Sequence, residues 1–119
     1  MSYEIEGVIL TLKPTGRTTA AERRPVFDAI RADTRVPNEA LLLIDGREVT
    51  AGVSEHVVIE RVRILFDQLG PKLGHQCALI IHSELADEAR IFQTAAADHG
   101  LRVGLFSDEQ SARSSLKMR

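Results

Sequence analysis

Apolar and polar positions follow two different periods along this chain, and the periods separate strands from helices. Tyr3 and Ile5 share one face of the alternating segment Tyr3–Glu6, and Val8-Ile-Leu-Thr-Leu12 is rich in β-forming residues. Gly7 between them predicts a turn, and Pro14-Thr-Gly16 ends the second run, so the two read as an antiparallel hairpin. Val26, Phe27 and Ile30 then recur at helical spacing behind Thr19-Ala-Ala-Glu22, which has the form of a capping box. The spacing predicts a helix starting near Thr19 and kinking at Pro25, whose ring removes a backbone hydrogen bond and crowds the preceding turn. Thr34–Glu39 contains Pro37-Asn38 and reads as a loop.

Leu41-Leu-Leu-Ile-Asp45 is a continuous apolar run ending in a carboxylate, the signature of a strand covered on both faces. Gly46–Ser54 is a long polar connection. From Glu55 onward Val58, Val62, Leu65, Phe66 and Leu69 fall on one helical face, and Gly70-Pro71 stops it. Cys77–Ile81 reads as a second buried strand. Leu85, Ala89, Phe92 and Ala96 form the next helical stripe, with Gly100 as its stop, and Leu101–Phe106 is a third strand. Ser107-x-x-Gln110 suggests another capping box, opening a last helix with Ala112 and Leu116 facing inward.

The predicted order is ββαβαβαβα across a single domain, residues 1–119. Strands alternating with helices predict an α/β fold with a mixed, mainly parallel sheet of about five strands. Such sheets place functional groups beyond the carboxyl ends of their strands, which here present Asp45, His82 with Ser83, and Ser107 with Asp108.

Composition narrows the chemistry. The net charge of −2 offers no electrostatic attraction to nucleic acid, and one tyrosine with four phenylalanines offers little for stacking on bases. The single cysteine excludes an internal disulfide and a cysteine-rich zinc site. No glycine-rich phosphate loop occurs; Gly46, Gly52, Gly70 and Gly74 read as turn glycines. His56, His75, His82 and His99 lie in different elements, so neither a metal nor a cofactor is expected. Cys77 opens an apolar strand and reads as inert packing. Asp45 and Asp108 would make an acid–base pair only if folding brought them together; their simpler roles are a loop cap and a helix N-terminal charge. Arg17, Arg23, Arg24, Arg31 and Arg35 interleave with Glu22, Asp28 and Asp33 as a solvated mixed-charge face. The longest apolar runs are far short of the roughly 20 residues that cross a bilayer. The opening residues also lack the pattern of a secretory leader, so the expected location is cytoplasmic. No catalytic residue is assigned.

Ser54 stands just before the Glu55 helix. A serine there is ordinarily an N-cap worth about 1 kcal/mol. It is also a position where a phosphate, with about −1.5 to −2 charges, would meet a helix N-terminus.

Several segments together carry a family resemblance. They are Tyr3-Glu-Ile-Glu6-Gly7, Leu42-Leu-Ile-Asp45, Ala89-Arg-Ile-Phe-Gln93, His99-Gly-Leu-Arg-Val103 and Leu105-Phe-Ser-Asp108-Glu109. The chain resembles the bacterial SpoIIAA-like family, also described as STAS/SEC14-like domains, over nearly its whole length. The resemblance implies a small mixed sheet with helices beside it and a non-catalytic regulatory or protein-interaction module, with self-association as a homodimer one form of contact. It also implies Ser54 as a regulatory phosphorylation position, although Val53 stands where the family pattern has an aspartate and Glu55 follows. The interaction surface would run through Asp45, Arg47, Ser54 and Glu55. The SEC14-like side of the resemblance implies an alternative, binding of a small apolar, lipid-like ligand, and in so short a chain any pocket between the Val58–Leu69 helix, the Leu85–Ala96 helix and the sheet would be small.

Overall fold

Two short strands, β1 (Ser2–Glu6) and β2 (Ile9–Lys13), pair antiparallel with Glu6 opposite Ile9, as the Gly7 break predicts. Gly7 has φ +60°, a left-handed conformation that glycine adopts without a Cβ penalty. The computed structural model describes residues 1–16, 20–49 and 53–117; Arg17, Gly52 and the Thr19 cap lie outside them. After β3 (Thr15–Gly16), helix α1 (Ala20–Ala32) runs through Pro25, which sits on its exposed side. Then come β4 (Ala40–Asp45), β5 (Glu48–Val49), α2 (Glu55–Leu69), β6 (Leu73–Ile80), α3 (Ala86–Ala97), β7 (Arg102–Phe106) and α4 (Glu109–Lys117).

The main sheet has five strands in the order β1-β2-β4-β6-β7, antiparallel between β1 and β2 and parallel elsewhere. Thr15–Gly16 and Glu48–Val49 form a separate two-stranded parallel pairing that the sequence pattern does not signal, since each segment is only two residues long. Among the described residues, no helix is long and apolar enough to cross a membrane.

The strand order explains the layers. From β2 to β7 each parallel strand is added on the same side of the last. Crossovers of one hand then carry α1, α2 and α3 over one face of the sheet. Leu10, Leu12, Leu42, Ile44, Cys77, Leu79 and Val103 point to that face and join Phe27, Ile30, Val62, Leu65, Leu69, Ala89 and Ala96 in the larger core. α4 returns over the other face. There Ala112 and Leu116 pack on Ile9, Leu41, Leu43, Ala78 and Ile80. With both faces covered, β4 is buried at every position, as its unbroken apolar run predicts.

Two expectations need correction. β6 begins at Leu73 rather than Cys77. Its first half slips against β4, with Ala40 opposite Leu73 but Leu42 opposite Cys77, so polar residues of β6 occupy an irregular stretch that hides the strand pattern. Gly74 is therefore a strand residue and not a turn glycine. The last helix is capped by Asp108 and not by Ser107: the Ser111 amide donates to Asp108 Oδ1 at 2.8 Å. An ionised carboxylate one residue later is the stronger acceptor for the helix N-terminus.

Candidate functional site

A crossover helix must carry the chain back to the start of the next parallel strand, so α1, α2 and α3 all begin near the carboxyl ends of the strands. Between those helix starts and the sheet lies a cavity of about 180 Å³. Leu12, Ile44, Leu79 and Ile81 form its floor, which alternation along β2, β4 and β6 directs to this face. Phe27 of α1, Val58 and Leu65 of α2, and Leu85, Ala89 and Phe92 of α3 form its walls. Gly46 stands at the floor's edge, where its amide donates to the Ile80 carbonyl at 2.7 Å. A Cβ at this glycine would lie 2.9 Å from that same oxygen, so the β4–β6 strand ends approach closely only because the residue has none.

Three charged residues share the lining: Arg23, Arg61 and Glu88. Arg23 therefore departs from the solvated face expected for the α1 arginines. Burial first, then the Arg61 charge, pushes its guanidinium below its ordinary value. Arg31 and Arg35 do behave as expected and pair with Asp28 and Asp33. Sequence reasoning missed Arg61 and Glu88 altogether. A signal existed: each interrupts an apolar stripe, Val58-Arg61-Val62-Leu65 in α2 and Leu85-Glu88-Ala89-Phe92 in α3.

The strand-end residues singled out from sequence converge on the opposite face. Asp45 is only 5% exposed. Its Oδ1 accepts from Arg47 Nε at 2.8 Å, and its Oδ2 accepts from a terminal Arg47 nitrogen at 2.6 Å. The Arg47 side chain and amide hold Asp45 below the usual carboxylate range. Arg47 also reaches Glu109 at 3.0 Å, and Glu109 accepts from Arg113, which continues to Glu6. His82 Nε2 donates to the Arg47 carbonyl at 2.6 Å. The chain of ion pairs ties the loop after β4 to α4. Asp108 is occupied separately, by the amide and hydroxyl of Ser111.

This arrangement is a clamp with little acid–base capacity. A carboxylate bonded twice to one guanidinium is held in its charged form and is a poor proton donor. Asp45→Asn is expected to cost about 1–3 kcal/mol near pH 7, from the lost charge-assisted bonds. The folded-state pKa of Asp45 lies below the value of about 3.9 for an unfolded chain. Its stabilisation is thus complete above that value and lost as pH falls through the folded value. Urea titrations of both proteins should show the gap narrowing as the pH falls below the unfolded-chain value, and a gap constant with pH would contradict the assignment.

Ser54 caps α2 as expected, its Oγ accepting from the Val57 amide at 3.4 Å, and it is exposed beside exposed Glu55. No hydrogen bond or ion pair joins either residue to the Asp45 clamp, so the expected surface divides into the Asp45–Arg47 pair, of which Asp45 alone is buried, and the exposed Ser54–Glu55 pair. Cys77 is fully enclosed in the sheet, and burial pushes its thiol far up, which keeps it from acting as a thiolate. His99 stacks on Phe66 with ring centroids 4.5 Å apart. Among the described residues, no group of histidine, cysteine, aspartate or glutamate is placed to hold a metal ion. Comparison with protein-family models, curated proteins and solved structures finds no match for the chain.

Proposed function

We propose that this protein is a non-catalytic STAS-like binding module whose ligand is a small apolar molecule held at the carboxyl ends of β2, β4 and β6. The observation that carries the reading is the cavity of about 180 Å³ with an apolar floor and walls. Interiors pack densely and seldom leave gaps of that size. A cavity of roughly 150 Å³ lined by apolar side chains is enough to take a benzene ring. The position at the strand ends is where open α/β sheets bind ligands. The engagement of Asp45 by Arg47 and of Asp108 by Ser111, and the burial of the Cys77 thiol, support binding over catalysis.

Isotope-edited NMR titration of the full chain with isohexanol tests the proposal. Shifts are expected at Ile44, Leu79, Ala89 and Phe92, with Ile80 and Ala112 on the other face unmoved. Val49→Phe, which places a ring at the cavity's lining, should weaken binding about tenfold or more. Shifts scattered over both faces, or none, would reject it.

One observation favours a second reading, protein contact through the outer side of α2 with Ser54 as its regulatory residue. Ile59 is 46% exposed, one turn after Glu55. In its simplest form the partner is a second copy of the chain. Sedimentation equilibrium should then show a dimer that Ile59→Asp weakens at least about tenfold; a monomeric wild type rejects this form of contact.

A further inference from the structure

Each helix over the cavity places one charged side chain inside its apolar stripe: Arg23 ahead of Val26 and Phe27, Arg61 beside Val62, Glu88 beside Ala89. A charge at such a position ordinarily pairs with its opposite, because leaving it unpaired away from water is costly. Arg61 and Glu88 both reach the cavity, yet no ion pair joins them. Among the described residues, Arg61 Nε and Glu88 Oε2 are the two side-chain atoms that are buried and have no hydrogen-bond partner.

The two atoms ask for opposite things. Guanidinium Nε–H can only donate, and an ionised carboxylate oxygen can only accept. A plain hydrocarbon would fill the volume and leave both unsatisfied. A simple fatty carboxylate would serve Arg61 and leave Glu88 facing another negative charge. The Arg61 guanidinium is a cation, so an anionic acceptor bonds it more strongly than a neutral one. The volume accommodates a tail of about one ring or a short branched chain.

Resting on the ligand reading above, we infer that the occupant is a small apolar carboxylate that also carries a hydroxyl or amino donor near its carboxylate. Arg61 takes the carboxylate, and Glu88 takes the O–H or N–H. The apolar tail lies on Ile44 and Leu79. The class comprises apolar hydroxy acids and apolar amino acids, which share this chemistry and differ in the charge of the donor.

Four probes with the same branched tail separate the terms: isohexanol, isocaproate, the hydroxy acid leucate, and leucine. Titrated into the full-length protein by calorimetry and NMR, leucate or leucine should bind at least about tenfold more tightly than isocaproate, because each satisfies the acceptor as well as the donor. Both should also exceed isohexanol, whose hydroxyl offers Arg61 no charged acceptor. The tighter of leucate and leucine identifies the donor. Arg61→Met should bring leucate and leucine down to the level of isohexanol, and Glu88→Met should erase the advantage of leucate and leucine over isocaproate. Methionine keeps length and helix propensity at both positions. The ranking of probes on the wild type stands as a test even if a variant fails to fold. If isohexanol binds as tightly as leucate and leucine, the head-group inference fails and the cavity reading survives. If isocaproate matches them, the role of Glu88 fails. If none of the four moves the cavity resonances, both readings fall.

Discussion

Leu42→Ala lowers the free energy of unfolding by about 3–5 kcal/mol, the upper part of the range seen when a buried leucine is cut back. Leu42 has no exposed surface and stands in the middle of β4. It is opposite Leu10 on one side and Cys77 on the other, both buried. Its side chain belongs to the larger core under α1–α3. The cost of such a truncation depends on how far the surroundings collapse into the space. Collapse is obstructed here, because β4 is hydrogen-bonded along both edges and cannot move toward the helices without breaking a ladder. The loss would consume much of the roughly 5–15 kcal/mol that keeps a domain folded. Urea denaturation should show a lower midpoint with the slope unchanged, because the area exposed on unfolding is nearly the same. A loss below about 1 kcal/mol would mean that the core around β4 is far looser than its burial indicates.

The contrast between Leu42 and Arg61 shows what a single sequence can convey. Leu42 lies in an unbroken apolar run, and that run alone dictates a strand covered on both faces. The stripes of α2 and α3, the Gly7 turn and the Ser54 cap are equally local: each needs only neighbours along the chain. The slip between β4 and β6 is not local. It depends on how Glu39 and Gly74 meet across the sheet, so Gly74 passes for a turn residue. The cavity is less local still. Arg23, Arg61 and Glu88 come from three helices separated by strands and loops, and the break each makes in an apolar stripe is visible in the sequence while their meeting is not. Only the shared direction of the crossovers brings them together. Asp45 was legible as a strand-end carboxylate, but its role depends on Arg47 folding back onto it and on Glu109 arriving from the last helix. The pattern thus specifies elements and their order, while the site depends on contacts between elements that no period encodes.

Gly74→Ala is expected to cost about 2–3 kcal/mol, from overpacking against main chain and not against a side chain that can turn aside. A Cβ at Gly74 would lie 2.7 Å from the Glu39 carbonyl oxygen, 3.2 Å from its carbon and 3.4 Å from the Ala40 oxygen. All three atoms belong to the backbone entering β4, so relief requires the starts of β4 and β6 to part. Glu39 is already in the left-handed region, at φ +56°, which costs a residue with a Cβ roughly 1–2 kcal/mol. Glu39→Gly should therefore recover part of the stability of the protein, but it leaves the clashing carbonyl in place and cannot rescue Gly74→Ala. Gly7→Ala provides the comparison. A Cβ there meets nothing within 4 Å, and only the positive φ opposes it, so its cost should stay near the roughly 1–2 kcal/mol of a left-handed alanine. Thermal or urea unfolding of the three single variants and the Glu39→Gly, Gly74→Ala double variant measures these terms. A double variant as stable as Glu39→Gly alone would show that backbone strain at Glu39, and not steric contact, sets the requirement for glycine. The clash lies at the amino ends of the parallel strands, opposite the cavity. Gly74→Ala protein that remains folded should consequently bind the cavity probes as the wild type does, which separates loss of fold from loss of site.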